Sequence, residues 1–151
     1  MSTHKINSGG FQLIQLVMVC AIIGIMAVIG VPVFTRYQPN IKLNAEAKQL
    51  ISDLRYAQQK TVSEQKIYYI EIDIPGKEYS IIKQETPATP IKTIVLDPEI
   101  TFQEVSDLTD NKVVFNSFGA VSEAGEIILA NSQESIITIN IKPSGHIQML
   151  K

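Results

Sequence analysis

The chain has 151 residues, enough for one ordinary domain with an appended segment, and its formal net charge of −2 argues against a protein held to nucleic acid by phosphate contacts. Its single cysteine, Cys20, excludes an intramolecular disulfide, and its two histidines, His4 and His146, stand far apart with no cysteine near either. It has no Walker loop, no GxGxxG and no nucleophile elbow, so neither an enzymatic activity nor a cofactor is expected.

The first predicted element is an apolar helix within Gly10–Phe34, GFQLIQLVMVCAIIGIMAVIGVPVF. From Leu16 to Phe34 the chain is uncharged and almost wholly apolar. As a helix this run spans about 28 Å, close to the hydrocarbon thickness of a bilayer. Gln12 and Gln15 are polar but uncharged and can lie near an interface. A secretory signal peptide fits less well. The leader MSTHKINSGG has only Lys5 as a fixed positive charge, the apolar run is long, and Val31-Pro32-Val33 is a poor cleavage site. A buried core helix also fits less well, because apolar residues surround the helix instead of forming one stripe.

The same residues resemble a type IV prepilin N-terminus. Gly10 and Phe11 match the family's cleavage pair, and Phe11-Gln12-Leu13-Ile14-Gln15-Leu16 matches its F-T-L-I-E-L pattern with two departures. Ala21-Ile22-Ile23-Gly24-Ile25 matches its A-I-I-G-I stretch, and Pro32 falls where members carry a helix-kinking proline. The resemblance implies cleavage between Gly10 and Phe11 by a prepilin peptidase and methylation of the new amino terminus of Phe11. Gln15, Gly24 and Pro32 are then assembly residues. In the family an acid stands where this chain has Gln15, and pairs with the amino terminus of a neighbouring subunit. A charge in lipid is costly unless paired. Glutamine can hydrogen-bond but cannot neutralise an ammonium, which suits a low-copy, specialised subunit; the rival reading is a near-neutral substitution. Gly24 and Gly30 suit close helix packing.

From Ile41 to about Glu64 the pattern becomes amphipathic: Leu43, Ala47, Leu50, Leu54, Ala57 and Thr61 recur at helical spacing, with Glu46, Lys48, Asp53, Arg55 and Lys60 off that stripe. Pro39 invites a second kink or a short break. A sheet is expected to cover the stripe. Lys66–Ile74 alternates with Tyr68, Ile70, Ile72 and Ile74 on one face, which makes one of Tyr68 and Tyr69 a core residue and the other a surface one. Pro75-Gly76-Lys77 is a turn and Glu78–Lys83 a returning strand. Pro87 and Pro90 mark a loop; Thr93–Leu96 and Ile100–Val105 are short strands, and Ser106–Lys112 is loop-like. Val113–Phe115, Ile127–Ala130, Ile136–Ile141 and His146–Leu150 complete the strands, with turns at Phe118-Gly119 and Pro143-Ser144-Gly145. The expected fold is α+β, a long N-terminal helix packed on a C-terminal antiparallel β-sheet domain. The expected organisation is a leader at 1–10, a membrane or filament-core helix at 11–34, an amphipathic helix at 35–65 and a β domain at 66–151.

This C-terminal part resembles the GspH/FimT group of minor pseudopilins and minor pilins. Leu54-Arg55-Tyr56-Ala57 matches its L-R-x-A signature, and Val114-Phe115-Asn116-Ser117-Phe118-Gly119 its F-x-x-x-G turn. Gly125–Leu129 and Ile139–Ile147 resemble its closing strands. The resemblance implies a minor pseudopilin of a type II secretion system, held in the cytoplasmic membrane by one span with its globular domain in the periplasm. Its implied partners are other pseudopilins or pilins, the prepilin peptidase, the inner-membrane assembly platform and membrane lipid. A minor type IV pilin, a DNA-uptake competence pilin and a plain membrane-anchored β domain are the alternatives. DNA binding is not favoured: the group's G-R-x-R motif is Gly145-His146-Ile147-Gln148 here, without either arginine, and Lys142 and Lys151 make a weak patch. Glu104, Asp107, Asp110 and Asn111 offer oxygen ligands but lack EF-hand spacing, so a solvated loop is favoured over calcium. Cys20 is best read as a small apolar residue.

Overall fold

A computed structural model describes the backbone of residues 8–150 and the side chains of residues 12–30 and 34–150. The leader positions 1–7, with His4 and Lys5, lie outside the described residues, as do the side chains of Gly10, Phe11 and Pro32. The chain forms two compact units, Met1–Gln38 and Pro39–Lys151.

Helix α1 runs from Ser8 to Glu64, 57 residues. It is unbroken at Pro32 and Pro39, so the short break considered at Pro39 is absent. From Pro39 onward its apolar stripe is covered as the periodicity requires. Leu43 is 2 % exposed, and Ala47, Leu50, Leu54 and Ala57 are fully buried. Thr61 closes the stripe: its hydroxyl donates to the Ala57 carbonyl (2.9 Å) and accepts from the Tyr68 N–H (3.1 Å). That pair satisfies a buried polar group and fixes the entry into the first strand.

Eight strands follow: β1 (Tyr68–Asp73), β2 (Glu78–Lys83), β3 (Thr89–Val95), β4 (Ile100–Ser106), β5 (Lys112–Val114), β6 (Gly125–Asn131), β7 (Ile136–Ile141) and β8 (Ile147–Leu150). The expected α+β architecture is present, but the single expected sheet is two four-stranded ones, in the orders β3-β2-β1-β5 and β4-β6-β7-β8. Every pairing is antiparallel. The split arises because β5 returns to β1 through only three residue pairs, Tyr69↔Val114 to Glu71↔Lys112, while β4 turns away to pair with β6. Both sheets contribute alternate residues to one core with α1. Ile70, Tyr79 and Ile81 come from the first, and Ile127, Leu129 and Ile139 from the second. Tyr68 is buried and Tyr69 half-buried, as the alternation demands.

Pro90 is the second correction. It lies inside β3, not in a loop, opposite Ile82. A proline cannot donate to a ladder, but β3 is an edge strand and needs no donor on its outer side. The register shifts between Ile81 and Ile82, a bulge that absorbs the extra residue beside Pro90. Asp53 adds a feature that the periodicity does not show. It lies off the apolar stripe, yet it is buried, 6 % exposed.

Candidate assembly surfaces

In the first unit the feature is the helix segment Gln12–Gly30, 19 residues, long and apolar enough to cross a membrane. None of it is buried against the rest of the protein. Twelve large apolar side chains between Leu13 and Ile29 are exposed, up to 75 % at Val28. Each would gain roughly 1.5–3 kcal/mol on burial, so the segment carries on the order of 20 kcal/mol of unmet apolar surface. A monomer cannot keep that face in water. Gln15 and Cys20 also point outward. Nothing lies within 4 Å of a β-carbon built on Gly24 or Gly30, so both leave open hollows on the helix. Gly10 and Phe11 fall in the first turns of α1, which begins at Ser8.

In the second unit the side chains of α1 lock the sheets in place. Asp53 accepts from the Tyr79 hydroxyl (2.7 Å), the Gln49 amide (3.0 Å) and the Lys92 ammonium (2.9 Å). Burial alone would push its carboxyl up, but those three donors outweigh it and hold it below the usual range. Tyr79 is pushed upward by burial and by the Asp53 carboxylate. The network therefore ties helix, β2 and edge strand β3 with an ionised aspartate. Nearer the end of α1, Glu64 receives Lys60 (2.8 Å) and the Tyr68 hydroxyl, which together lower its carboxyl to about 2.

Gln58 performs a second locking role that periodicity alone did not reveal. Its amide donates to the Gly119 carbonyl (2.5 Å) and the Gly145 carbonyl (3.1 Å), clamping two separate turns to the helix. Both glycines have positive φ, +83° and +79°. At the other end, the Asn131 amide donates to Asn40 Oδ1 (2.9 Å), and its own Oδ1 accepts from the N–H groups of Gln133 and Ser135. One side chain thus shapes the β6–β7 turn and ties it to α1. Lys42 reaches Asp97 and Glu99 after β3.

The remaining sequence candidates are dispersed. His146 and Gln148 are exposed, while Ile147 between them is in the core. Asp110 lies 3.7 Å from Lys112, and Glu104 and Asp107 are exposed. Among the described residues no three His, Cys, Asp or Glu side chains are grouped to hold a metal.

A family model described as Type II transport protein GspH matches residues 46–145. No curated protein matches the chain in sequence. Among solved structures, the type IV minor pilin FimU of Pseudomonas aeruginosa is similar, with 17 % identity and a TM-score of 0.61. The match covers 76 % of this chain and 92 % of that one. The minor pseudopilin EpsH of the type 2 secretion system of Vibrio cholerae is 9 % identical with a TM-score of 0.62. Here 72 % of this chain and 96 % of that one are covered. At these identities the likeness is one of fold: a long helix on antiparallel sheets, the pilin-like α+β arrangement.

Proposed function

This chain belongs to the GspH family of type II transport proteins, and we propose from that membership how its two units serve a secretion filament. The protein is a minor pseudopilin of a type II secretion system, a structural subunit and not an enzyme. Membership of the family carries with it assembly with other pseudopilins, and the apolar helix is consistent with a single membrane span.

The precursor sits in the cytoplasmic membrane with residues 1–10 on the cytoplasmic side and the β domain in the periplasm. A prepilin peptidase cuts between Gly10 and Phe11, and the Phe11 amino group is methylated. The segment 11–34 is stored in lipid and then passes, at the assembly platform, into the helix bundle of a short filament. Gly24 lets a neighbouring helix approach, and Pro32 bends the helix. The observation that carries this reading is the exposed apolar Gln12–Gly30 segment, in a chain of the GspH family. No nucleotide motif is present in the sequence, so the energy of assembly comes from a separate ATPase.

Mass spectrometry of the membrane-bound protein tests it. The expected species starts at Phe11 with a methylated amino terminus. A protein retaining residues 1–10 in cells with an active peptidase would overturn the reading.

A further inference from the structure

The outward face of α1 in the globular unit carries a shallow groove lined by Lys48, Ile51, Ser52, Arg55, Tyr56 and Gln59. No carboxylate lines it. Elsewhere in this unit most of the cations are neutralised locally, Lys142 being an exception. Lys42, Lys60, Lys66, Lys83, Lys92 and Lys112 each lie within ion-pair distance of a carboxylate. Lys77 donates to the Pro98 carbonyl. Among the described residues, Lys48 and Arg55 have neither kind of partner, and they share one helix face two turns apart. Between them lies half-buried Ile51, and beside Arg55 stands Tyr56, an aromatic side chain 40 % exposed.

We propose that this groove docks another pseudopilin of the same filament, through two partner carboxylates that flank an apolar side chain. The inference rests on the reading that the chain assembles with other pseudopilins. The geometry sets the partner's chemistry. Seven residues of helix place Lys48 and Arg55 about 10 Å apart, so the partner's acids have that spacing. Arg55 offers a planar fork for bidentate contact with one carboxylate, and Lys48 a point charge for the other. Ile51 supplies the apolar centre that a docking patch needs, Tyr56 extends it beside Arg55, and Ser52 and Gln59 are polar rim. The strip lies on α1, the helix whose earlier segment is the apolar assembly element. Nucleic acid fits it poorly, since two cations on a chain of net charge −2 form no polyanion track.

The test uses the full chain in cells that make the other pseudopilins of its system. Cysteine is placed in the groove (Ser52→Cys, in a Cys20→Ala background) and beside paired carboxylates on each of the other pseudopilins. The expected result is crosslinking to one of them. The yield should fall at least about tenfold when Lys48→Glu and Arg55→Glu are combined, and recover when the partner's two acids become lysines. Lys142→Glu, which reverses an unpaired cation outside the groove, should leave the yield unchanged. Leader cleavage and thermal unfolding should match the unreversed protein, separating loss of docking from loss of folding. An undiminished crosslink after reversal overturns the proposal. So does crosslinking of the groove to a second copy of this chain, or duplex DNA retention that the reversal abolishes. Failure of the assembly reading looks different: the protein with an intact groove would then keep its leader and co-purify with no pseudopilin.

Discussion

Replacing Gly145 by alanine tests the closest packing in the globular unit. Gly145 has φ +79°, where a β-carbon is disfavoured by about 1–2 kcal/mol. An added β-carbon would overlap the backbone oxygen of Gly119 and come within 2.5 Å of Gln58 Nε2. The Gly119 carbonyl cannot swing aside freely, because the Ala120 N–H of the same peptide plane donates to Asn116 Oδ1 (3.1 Å). Gln58 must therefore release both turns, losing two hydrogen bonds worth about 0.5–1.5 kcal/mol each. With the overpacking cost of roughly 1–3 kcal/mol, the expected loss is about 3–8 kcal/mol. Urea unfolding of the Pro39–Lys151 unit, which contains the whole described core, measures it. Gly76→Ala is the control. There the near neighbour is the flexible, exposed side chain of Asp73, so the expected change is under about 0.5 kcal/mol. A Gly145→Ala loss below about 1 kcal/mol would refute the clamp.

Asp53→Ala leaves the buried Tyr79 hydroxyl without its acceptor, so the same unfolding assay should show about 2–3 kcal/mol of destabilisation. A double-mutant cycle with Lys92→Ala should give a coupling of about 1 kcal/mol or less, because Lys92 is 44 % exposed. Acid should also weaken the unit. Asp53 and Glu64 both have carboxyls lowered on folding, so their stabilisation is complete above the ordinary carboxylate range. It is lost as pH falls toward the folded values, about 2 for Glu64. The thermal midpoint should therefore drop between about pH 4.5 and 2, and Glu64→Gln should flatten part of that drop; an unaltered profile counts against the network. In the membrane part, Gln15→Glu supplies a carboxylate that can pair with a neighbour's amino terminus, so incorporation into filaments should rise several-fold; unchanged incorporation would make Gln15 a neutral substitution.

Much of this molecule is legible from local pattern. The stripe Leu43, Ala47, Leu50, Leu54, Ala57 declares itself by spacing, and every member is buried. The Gln12–Gly30 segment declares itself by lacking charge. Pairing across long sequence distance is not written locally. Three residues of β5 suffice to join β1, and nothing in Lys112-Val113-Val114 says which strand they will meet. The burial of Asp53 is hidden from local pattern for a related reason. Beside the apolar Leu54 it looks like a solvated edge, and its burial depends on Tyr79 and Lys92 arriving from β2 and β3. Gln58 shows the same limit: its partners lie 61 and 87 residues away. The glycines themselves were the available signal, since each ends a turn that has to bring its backbone carbonyl up against the helix.

The composition of α1 also bears on what drives assembly. Lipid tails and neighbouring apolar helices satisfy Gln12–Gly30 almost equally, so passing from one to the other gains little hydrophobic free energy. Packing at small residues such as Gly24 and Gly30 adds some, and the same packing is open to any helix of similar composition. Selectivity among subunits has to come from elsewhere on the chain. The globular unit has the means, because Lys48 and Arg55 stand exposed on one face of α1 beside a groove that no carboxylate lines. On this reasoning the apolar segment commits the subunit to a filament, while the face bearing Lys48 and Arg55 selects its neighbour there. Exchanging residues 11–34 for another pseudopilin's should then preserve neighbour choice, and exchanging the groove residues should change it.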